Sequence, residues 1–397
     1  MVLLRYIVLL SIARLVTSKQ LIFVHALWRH GTRSTIVAYP STPYKEDFWI
    51  PGPGGELTPL GMDEHVKLGQ KLKQRFMIEN KLVSRRYKSK EIYIRSSEYN
   101  RAIVSAMANM VGFYFAGGVY GMDYPYNWQW PSYWSPVPIH SEPWGTDSLM
   151  NRKACPLARD YQTLMEQTPE FHDFVNISQD LFKSLSKHAG KIMNDSNDVY
   201  LACDSIITEN QNNLPLTWQK EILPQCEEYM AEIYNFRFGW NMAPFKGHNM
   251  RTEIPTVIGG RLLWEIITRM QQKYENFLDP SKYPEIKDLK YYVYSGHDMV
   301  LAIFAAMMDF PYVDYDRNMN TAPSNAYTIE LWLDDDMEPF VKVLYWRTEN
   351  SSFIDVSRSV GGCKFTVDGC TLDHFATRSE KYKPPENFDE VGLRKGY

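Results

Sequence analysis

Three short segments of the chain carry basic and acidic side chains in patterns that suit a phosphate-binding site. The segments are residues 29–33 (RHGTR), residues 95–97 (RSS) and residues 295–298 (SGHD). Arginine guanidinium groups are planar and bind phosphate oxygens through two parallel N–H bonds, and histidine can attack phosphorus as a nucleophile. The six candidate site residues are Arg29, His30, Arg33, Arg95, His297 and Asp298.

These residue types predict phosphoryl transfer to a histidine, followed by hydrolysis. His30 would attack the phosphorus, Asp298 would protonate the leaving alcohol, and water would then hydrolyse the phosphohistidine. The arginines would stabilise charge on the phosphate oxygens. A carboxyl group among arginines normally stays ionised. Asp298 should therefore act as a general acid most easily at low pH, or when the bound phosphate offsets the positive charge.

Each candidate segment follows a short apolar run that predicts a buried β-strand. The runs are residues 21–28 (LIFVHALW), 91–94 (EIYI) and 291–294 (YYVY). In open α/β sheets, ligands bind just beyond the carboxyl ends of the parallel strands. If the three strands are parallel neighbours, the six candidate side chains meet at one edge of the sheet. Gly31 would let the backbone approach a ligand closely at that edge.

Several motifs resemble those of the histidine acid phosphatases, and the similarity runs through most of the chain. They are residues 29–33, 55–62 (GELTPLGM), 95–101 (RSSEYNR), 294–298 (YSGHD) and 369–375 (GCTLDHF). The nearest branch is the prostatic and lysosomal acid phosphatase type. The resemblance implies a phosphoglycerate mutase-like, three-layer α/β core with a mostly helical inserted cap. It also implies that His30 is the nucleophile and Asp298 the proton donor. Phosphate binding falls, by the same resemblance, to Arg29, Arg33, Arg95 and His297.

The composition of the chain indicates a leader, a discontinuous catalytic unit and an insertion. Residues 1–18 are typical of a secretory signal peptide, with a buried N-terminal helix as the alternative. Residues 19–123 and 256–380 are expected to form the α/β catalytic domain. Residues 124–255 are rich in Trp, Pro and Asn and are expected to form a helical cap over the cleft. Residues 381–397 are expected to be a polar C-terminal tail.

The location of the protein is predicted from its leader, its sequons and an uncharged run. Residues 102–120 are long enough to suggest a membrane span, but they contain Ser, Asn and Gly. A buried helix packed on the sheet is the better interpretation. Asn176, Asn194 and Asn350 each begin an N-glycosylation sequon, which fits export. We therefore expect a soluble protein, secreted or in the lysosomal lumen, without a membrane anchor.

The cysteines are too few for a disulfide-built scaffold, since the chain has only five. Cys363 and Cys370 are close enough to close a small loop, and the family resemblance implies a short loop disulfide nearby. Cys155, Cys203 and Cys226 leave an odd thiol. A bond between Cys203 and Cys226 is one open pairing.

Composition and motif searches exclude several other classes of protein. The chain has 397 residues and a net charge of −4, without a Lys/Arg-rich run, so nucleic acid is not an expected partner. It has no Gly-rich phosphate loop, no dinucleotide-binding glycine motif and no His-Glu-x-x-His or Cys-x-x-Cys signature. A metal pair of His25 and His30 is not expected, because the strand bends between them. No cofactor or metal is therefore implied.

The expected partner is a small phosphate monoester or a phosphopeptide, and the physiological substrate stays open. A homodimer is a family expectation only. Aromatic residues of the insertion, such as Trp128 and Trp134, are expected to pack in the core, with a dimer interface or the substrate entrance as alternatives. Two other functions remain in view. One is a phosphomutase-type phosphoryl transfer, and the other is a catalytically dead secreted binding protein of the same fold.

Overall fold

The computed structural model of the chain describes residues 19–150, 155–240, 242–312, 314–315, 320–347 and 352–384. The predicted signal peptide, the sequon at Asn350 and residues 385–397 of the predicted tail lie outside the described residues.

One mixed β-sheet forms the centre of the molecule. Its strands are β1 (Gln20–Arg29), β2 (Ile92–Ser96), β3 (Tyr291–Gly296), β4 (Ala326–Leu333), β5 (Pro339–Trp346), β6 (Ile354–Asp355) and β7 (Cys370–Thr371). The strand order is β2-β3-β1-β4-β5-β6, and β7 pairs with β5. Strands β1 and β2 both run parallel to β3, whereas β4 runs antiparallel to β1. The predicted set of three parallel neighbours is thus confirmed.

Strand β1 is the central strand, and its sequence explains that place. Every residue from Leu21 to Arg29 is buried, as expected for a continuous apolar run with neighbours on both sides and on both faces. Its residues divide between two cores on opposite faces of the sheet. Val24 and Trp28 belong to one core, and Leu27 belongs to the other.

Helices cover both faces of the sheet. They are α1 (Pro59–Lys73), α2 (Asn100–Tyr114), α3 (Pro156–Glu166), α4 (Pro169–Ile177), α5 (Gln179–His188), α6 (Ser196–Gln211), α7 (Gln219–Arg237), α8 (Met250–Leu278), α9 (Asp298–Met307) and α10 (Leu372–Ser379). Helices α1 and α2 share a core with one face of the sheet, and α8 and α9 share a core with the other. The core is therefore a three-layer α/β arrangement, as the sequence predicts.

Two helices next to the predicted site follow directly from local sequence signals. Helix α1 begins at Pro59, because the Thr58 hydroxyl accepts a hydrogen bond from the Gly61 amide and Pro59 suits the first turn. Helix α2 contains residues 102–114 of the uncharged run, and its Ala106 and Phe113 are buried against the sheet. Among the described residues, no helix is both long and apolar enough to cross a membrane.

Helices α3 to α7 form a helical insertion between α2 and α8. The predicted boundary at residues 255/256 falls inside α8, because Pro255 removes one backbone donor without ending that helix. The predicted tail begins inside a short 3-10 turn, Glu380–Tyr382, whose Tyr382 is buried. Trp128 does not pack in the core but is 88% exposed, so the expectation of core packing is wrong for this residue.

Two disulfides are formed among the described residues. Cys363–Cys370 closes the short loop before α10, as the family resemblance implied. Cys203–Cys226 joins α6 to α7, and Cys155 is a buried free thiol.

Two of the predicted glycosylation sites lie in the described part of the chain. Asn176, near the end of α4, and Asn194, just before α6, are both exposed. Their glycosylation stays a prediction.

Candidate active site

The carboxyl ends of β1 and β3 bring the predicted nucleophile and the predicted acid together. The His30 amide, directly after β1, donates to the Gly296 carbonyl of β3 over 2.9 Å. His297 caps α9 and Asp298 is its first residue, so the chain turns from β3 into a helix at this point. The imidazole rings of His30 and His297 lie 5.4 Å apart between centroids, edge to face. The predicted meeting of these strand ends is confirmed.

His30 has the protonation state that a nucleophile needs. Its Nδ1 lies 2.8 Å from the Gly31 carbonyl, which can only accept, so Nδ1 carries the proton and Nε2 keeps its lone pair. Burial lowers the pKa of His30 well below its usual value, and the charges of Arg101, Arg29, His297 and Arg33 lower it further. Both effects favour the neutral form of His30 over the protonated form.

The first two turns of α1 fix the segment that carries His30. A Cβ at Gly31 would overlap the Gly61 carbonyl, so only glycine fits there. The carboxylate of Glu64 accepts from the Thr32 amide over 2.8 Å and from the Thr32 hydroxyl over 2.7 Å. His65 donates to the Arg29 carbonyl over 3.0 Å, and burial lowers the pKa of His65 to about 3, so it stays neutral.

Arg29 and Arg33 are both buried, and each faces one carboxylate. The Nη2 of Arg29 lies 3.4 Å from the Oδ2 of Asp298, while its Nη1 donates to the Thr321 carbonyl. The Nη2 of Arg33 lies 2.6 Å from the Oδ1 of Asp204, a residue of α6. Sequence reasoning did not identify Asp204, because its partner is 171 residues away.

Arg95 does not join this cluster. It is buried, but its Nη2 lies 2.9 Å from Asp147 and 3.1 Å from Glu142, so two carboxylates already neutralise it. It is also absent from the charges that lower the pKa of His30. The segment that contains Asp147 runs beside β2, and this path is not visible in the local sequence.

Arg101 occupies the place predicted for Arg95. It lies in the first turn of α2, and its Nη2 is 3.5 Å from the Nδ1 of His297. Its guanidinium lies over the Tyr99 ring, 4.4 Å from the centroid, and it forms no ion pair within the described residues. Burial and the neighbouring Arg33 lower the pKa of Arg101 to about 10, so it remains charged. Its sequence signal was the second arginine of the RSSEYNR motif.

His297 is held by two neighbours at the end of β3. Its Nε2 lies 2.9 Å from the Ser97 hydroxyl, and its Nδ1 faces Arg101. Burial lowers the pKa of His297 to about 3, and the charge of Arg101 acts in the same direction. His297 is therefore a neutral donor beside His30.

Asp298 is the carboxylate that lies two residues after the end of β3. Burial raises its pKa, but Arg29, His297 and Arg33 lower it, and a hydrogen bond from Tyr234 lowers it further. The net effect is a pKa below the usual value for aspartate. Without a bound anion, the carboxyl group is therefore ionised over most of the acidic range.

Three buried guanidinium nitrogens of this cluster have no acceptor among the described residues. They are the Nε atoms of Arg29, Arg33 and Arg101. Buried donors are normally hydrogen-bonded, so this arrangement suits an anion with several oxygens. In the same part of the chain, no group of three His, Cys, Asp or Glu side chains is placed to hold a metal ion.

The family model for branch 2 of the histidine phosphatase superfamily matches residues 20–346 of this chain, which include every residue of the cluster. The chain belongs to the histidine phosphatase superfamily, branch 2.

Curated relatives of this histidine phosphatase have similar lengths. A putative acid phosphatase of Caenorhabditis elegans is 28% identical, over 93% of this chain and 87% of its own. Human lysosomal acid phosphatase is 27% identical, over 96% of this chain and 82% of its own. Human prostatic acid phosphatase is also 27% identical, over 91% and 86%. This is a histidine phosphatase of the acid phosphatase type.

Solved structures share the fold of this histidine phosphatase. The phytase of Hafnia alvei superimposes with a TM-score of 0.65 at 17% identity, over 93% of this chain and 98% of its own. The phytase of Citrobacter braakii gives 0.65 at 15% identity, over 92% and 99%. Identities this low support the fold alone.

Proposed function

We propose that this histidine phosphatase hydrolyses phosphate monoesters in an acidic, extracytoplasmic compartment. The nucleophile is His30, the proton donor is Asp298, and the phosphate ligands are Arg29, Arg33, Arg101 and His297. Arg101 replaces Arg95 in this set, because carboxylates already surround Arg95. The single observation that carries the proposal is the position of the His30 ring, 5.4 Å from the His297 ring between centroids and beside arginine nitrogens that lack an acceptor in the described residues.

The first half of the reaction forms a phosphohistidine. The Nε2 lone pair of His30 attacks phosphorus, the bond to the ester oxygen breaks, and that oxygen takes the proton of Asp298. The bound phosphate offsets the arginine charges that otherwise keep Asp298 ionised, so substrate binding raises the fraction of protonated acid. The guanidinium groups stabilise charge on the equatorial oxygens.

The second half of the reaction releases phosphate. Asp298 is now a carboxylate, and it accepts a proton from the water that attacks phosphorus. The N–P bond breaks, and His30 returns to its neutral form. No cofactor is needed for either half, because each proton and electron pair is accounted for by His30, Asp298 and water.

The extracytoplasmic location has three supports. Residues 1–18 have the pattern of a signal peptide, the two described sequons are exposed, and two disulfides are formed. The names of the lysosomal and prostatic relatives point the same way. Expression in animal cells tests this proposal. The expected product lacks the leader by N-terminal sequencing and shifts in mass after glycosidase treatment, and an intact leader on a cytosolic protein would contradict it.

A homodimer also remains a proposal. The segment around residues 120–134 exposes Tyr126, Trp128 and Tyr133, which together offer an apolar surface to a second copy. Light scattering of the purified protein is expected to give twice the chain mass, and Trp128→Glu is expected to give the monomer.

Rapid mixing with p-nitrophenyl phosphate tests the mechanism. The wild type is expected to release a burst of nitrophenol and to form an acid-labile phosphoenzyme, and His30→Ala should do neither. A protein that binds phosphate without any burst would instead support a binding protein of the same fold. Transfer of the phosphoryl group back to a bisphosphate primer would support a mutase.

A further inference from the structure

We propose that Asp204, on the helical insertion, is a positioning residue that fixes the guanidinium of Arg33 for phosphate binding. The inference rests on the proposed function, because it assigns to the insertion a part in the affinity of that same site. Asp204 does not touch the reacting atoms in this scheme, and it acts only through Arg33.

The contacts of Arg33 account for both of its terminal nitrogens. Nη2 lies 2.6 Å from the Oδ1 of Asp204, and the two side chains are only 5% and 10% exposed. Nη1 donates to the Ser34 carbonyl over 3.0 Å and to the Thr208 hydroxyl over 3.3 Å. The Nε of the same guanidinium is buried and has no acceptor among the described residues. The protein therefore holds one edge of the group and leaves the Nε edge for the ligand.

The residues that hold Arg33 lie on one face of α6. Asp204, Thr208 and the capping residue Asn212, which directly follows α6, are spaced at intervals of four residues, so they lie along one side of the helix and its end. The Asn212 amide donates to the Arg33 carbonyl over 2.9 Å, so this face holds the backbone as well as the side chain. A single helix therefore fixes Arg33 at three points.

The loop after Arg33 is attached to the same helix. The two carboxylate oxygens of Glu209 accept from the Tyr39 hydroxyl over 2.9 Å and from the Thr42 hydroxyl over 2.6 Å. The disulfide Cys203–Cys226 joins α6 to α7 next to Asp204. Because α6 is tied to both the loop and α7, it can hold the guanidinium in one orientation.

Asp204 and Asp298 therefore have different roles, although each carboxylate faces an arginine. Asp298 is 3.4 Å from Arg29 and directly follows the strand that ends beside His30. Asp204 is 0.8 Å closer to its arginine than Asp298 is, since the two distances are 2.6 and 3.4 Å. A carboxylate engaged in this way orients its partner and is not free to exchange a proton with a substrate.

Loss of this contact should weaken the binding of phosphate in every state of the reaction. Arg33 binds the phosphoryl group in substrate, transition state and product, so a misoriented guanidinium raises KM more than it lowers kcat. For Asp204→Ala we expect KM for p-nitrophenyl phosphate and Ki for inorganic phosphate to rise in parallel, by about tenfold. We expect kcat to change by less than about threefold.

Three further variants make this test specific. Asp204→Asn keeps an oxygen acceptor at the same position, so it should recover most of the lost affinity. Asp198→Ala removes a carboxylate from the same helix that pairs with Lys191 at 2.5 Å, and it should leave KM and Ki unchanged. In the Arg33→Ala background, the further substitution Asp204→Ala should cost nothing more, because the residue it acts through is gone.

Two results would overturn the inference. One is an Asp204→Ala enzyme whose KM and Ki stay within about twofold of the wild type. The other is a loss that persists undiminished in the Arg33→Ala background. If Asp204→Ala does not fold, Asp204→Leu, which fills the space without an acceptor, and Thr208→Val replace it, and an unchanged Ki in both overturns the proposal. Failure of the proposed function is separate, since it would appear as wild-type protein without activity or as active His30→Ala.

Discussion

The strand ends and the helical insertion both contribute side chains to the candidate site, but these side chains are of different kinds. The strand ends supply His30, His297 and Asp298, which would react or donate at the phosphorus. The insertion supplies Asp204 and Tyr234, whose contacts are with site residues. The difference suggests a division of roles, in which the sheet carries the chemistry and the insertion adjusts affinity and pKa.

Replacement of His30 tests this division and is expected to have the largest effect on activity. His30→Ala removes the attacking nitrogen, and kcat should fall by about 10³-fold or more. The measurement is steady-state hydrolysis of p-nitrophenyl phosphate, with phosphate-induced stabilisation against heat as a check on the site. His172→Ala, at an exposed position of α4, is the matched control and should keep full activity. Full activity of His30→Ala would show that His30, at the end of β1, is not the nucleophile.

A comparison of two leaving groups tests whether Asp298 donates a proton or acts only through its charge. Asp298→Asn should lower kcat for an alkyl phosphate by about 10²–10⁴-fold, because an alkoxide needs a proton to leave. The loss should be much smaller with p-nitrophenyl phosphate, since nitrophenol is a far stronger acid. Equal losses on both substrates would assign Asp298 a role in binding only.

The pH dependence of kcat/KM is also expected to depend on Asp298. Arg29, His297 and Arg33 lower the pKa of Asp298, so the free enzyme loses this proton at a lower pH than an ordinary aspartate would. The value of kcat/KM for an alkyl phosphate should therefore fall as pH rises through the acidic range. Tyr234→Phe removes a hydrogen bond that lowers this pKa, and it should move the fall to higher pH. An unchanged pH profile would mean that the insertion acts on the site only through its contact with Arg33.

Substitutions of Arg95 and Arg101, both near β2, test which of the two belongs to the site. Arg101→Ala should lower kcat/KM by about 10²-fold, because a phosphate donor is lost. Arg95→Ala should instead lower the free energy of unfolding by about 3 kcal/mol, because it leaves Asp147, only 1% exposed, without its partner. Urea unfolding and phosphatase assays on both variants separate the effects. A folded Arg95→Ala enzyme with the larger loss of kcat/KM would restore the original prediction.

The smallest expected effect concerns Glu209 in the insertion. Burial raises its pKa, so the folded protein holds this proton to a higher pH than the unfolded chain does. The stability that depends on it is fully present below the unfolded pKa and is lost as pH rises through the folded pKa. Glu209→Gln should flatten this decline in urea unfolding as pH rises from about 4, the ordinary pKa of glutamate. The exposed Glu221→Gln is the control, and an unchanged slope in Glu209→Gln would contradict the expectation.

The positions of the proposed reacting residues were predictable because each follows a strong strand signal. The continuous apolar run before Arg29 predicts a strand buried on both faces, and the same holds before His297. Once three such strands are taken as parallel neighbours, the rule for ligands at their carboxyl ends places the side chains together. The structure confirms this for β1 and β3, where His30 hydrogen-bonds to Gly296.

The choice between Arg95 and Arg101 was not predictable from local sequence. Both follow the same strand, and the decision depends on Asp147, which lies on a segment whose path beside β2 is set by tertiary packing. Asp204 was hidden for the same reason, since 171 residues separate it from Arg33. The sequence pattern of α6 does not indicate that one face of this helix contacts the distant segment that carries Arg33.

Strand β1 holds the centre of the sheet, yet both of its neighbours, β3 and β4, come from the last third of the chain. During translation, this strand therefore has no partner on either edge until residue 296 has left the ribosome, and both edges can be paired only after residue 333. An apolar strand with two open edges is prone to pair with other chains. The nascent protein is therefore expected to carry an aggregation-prone strand for as long as the residues between β1 and β3 are being made.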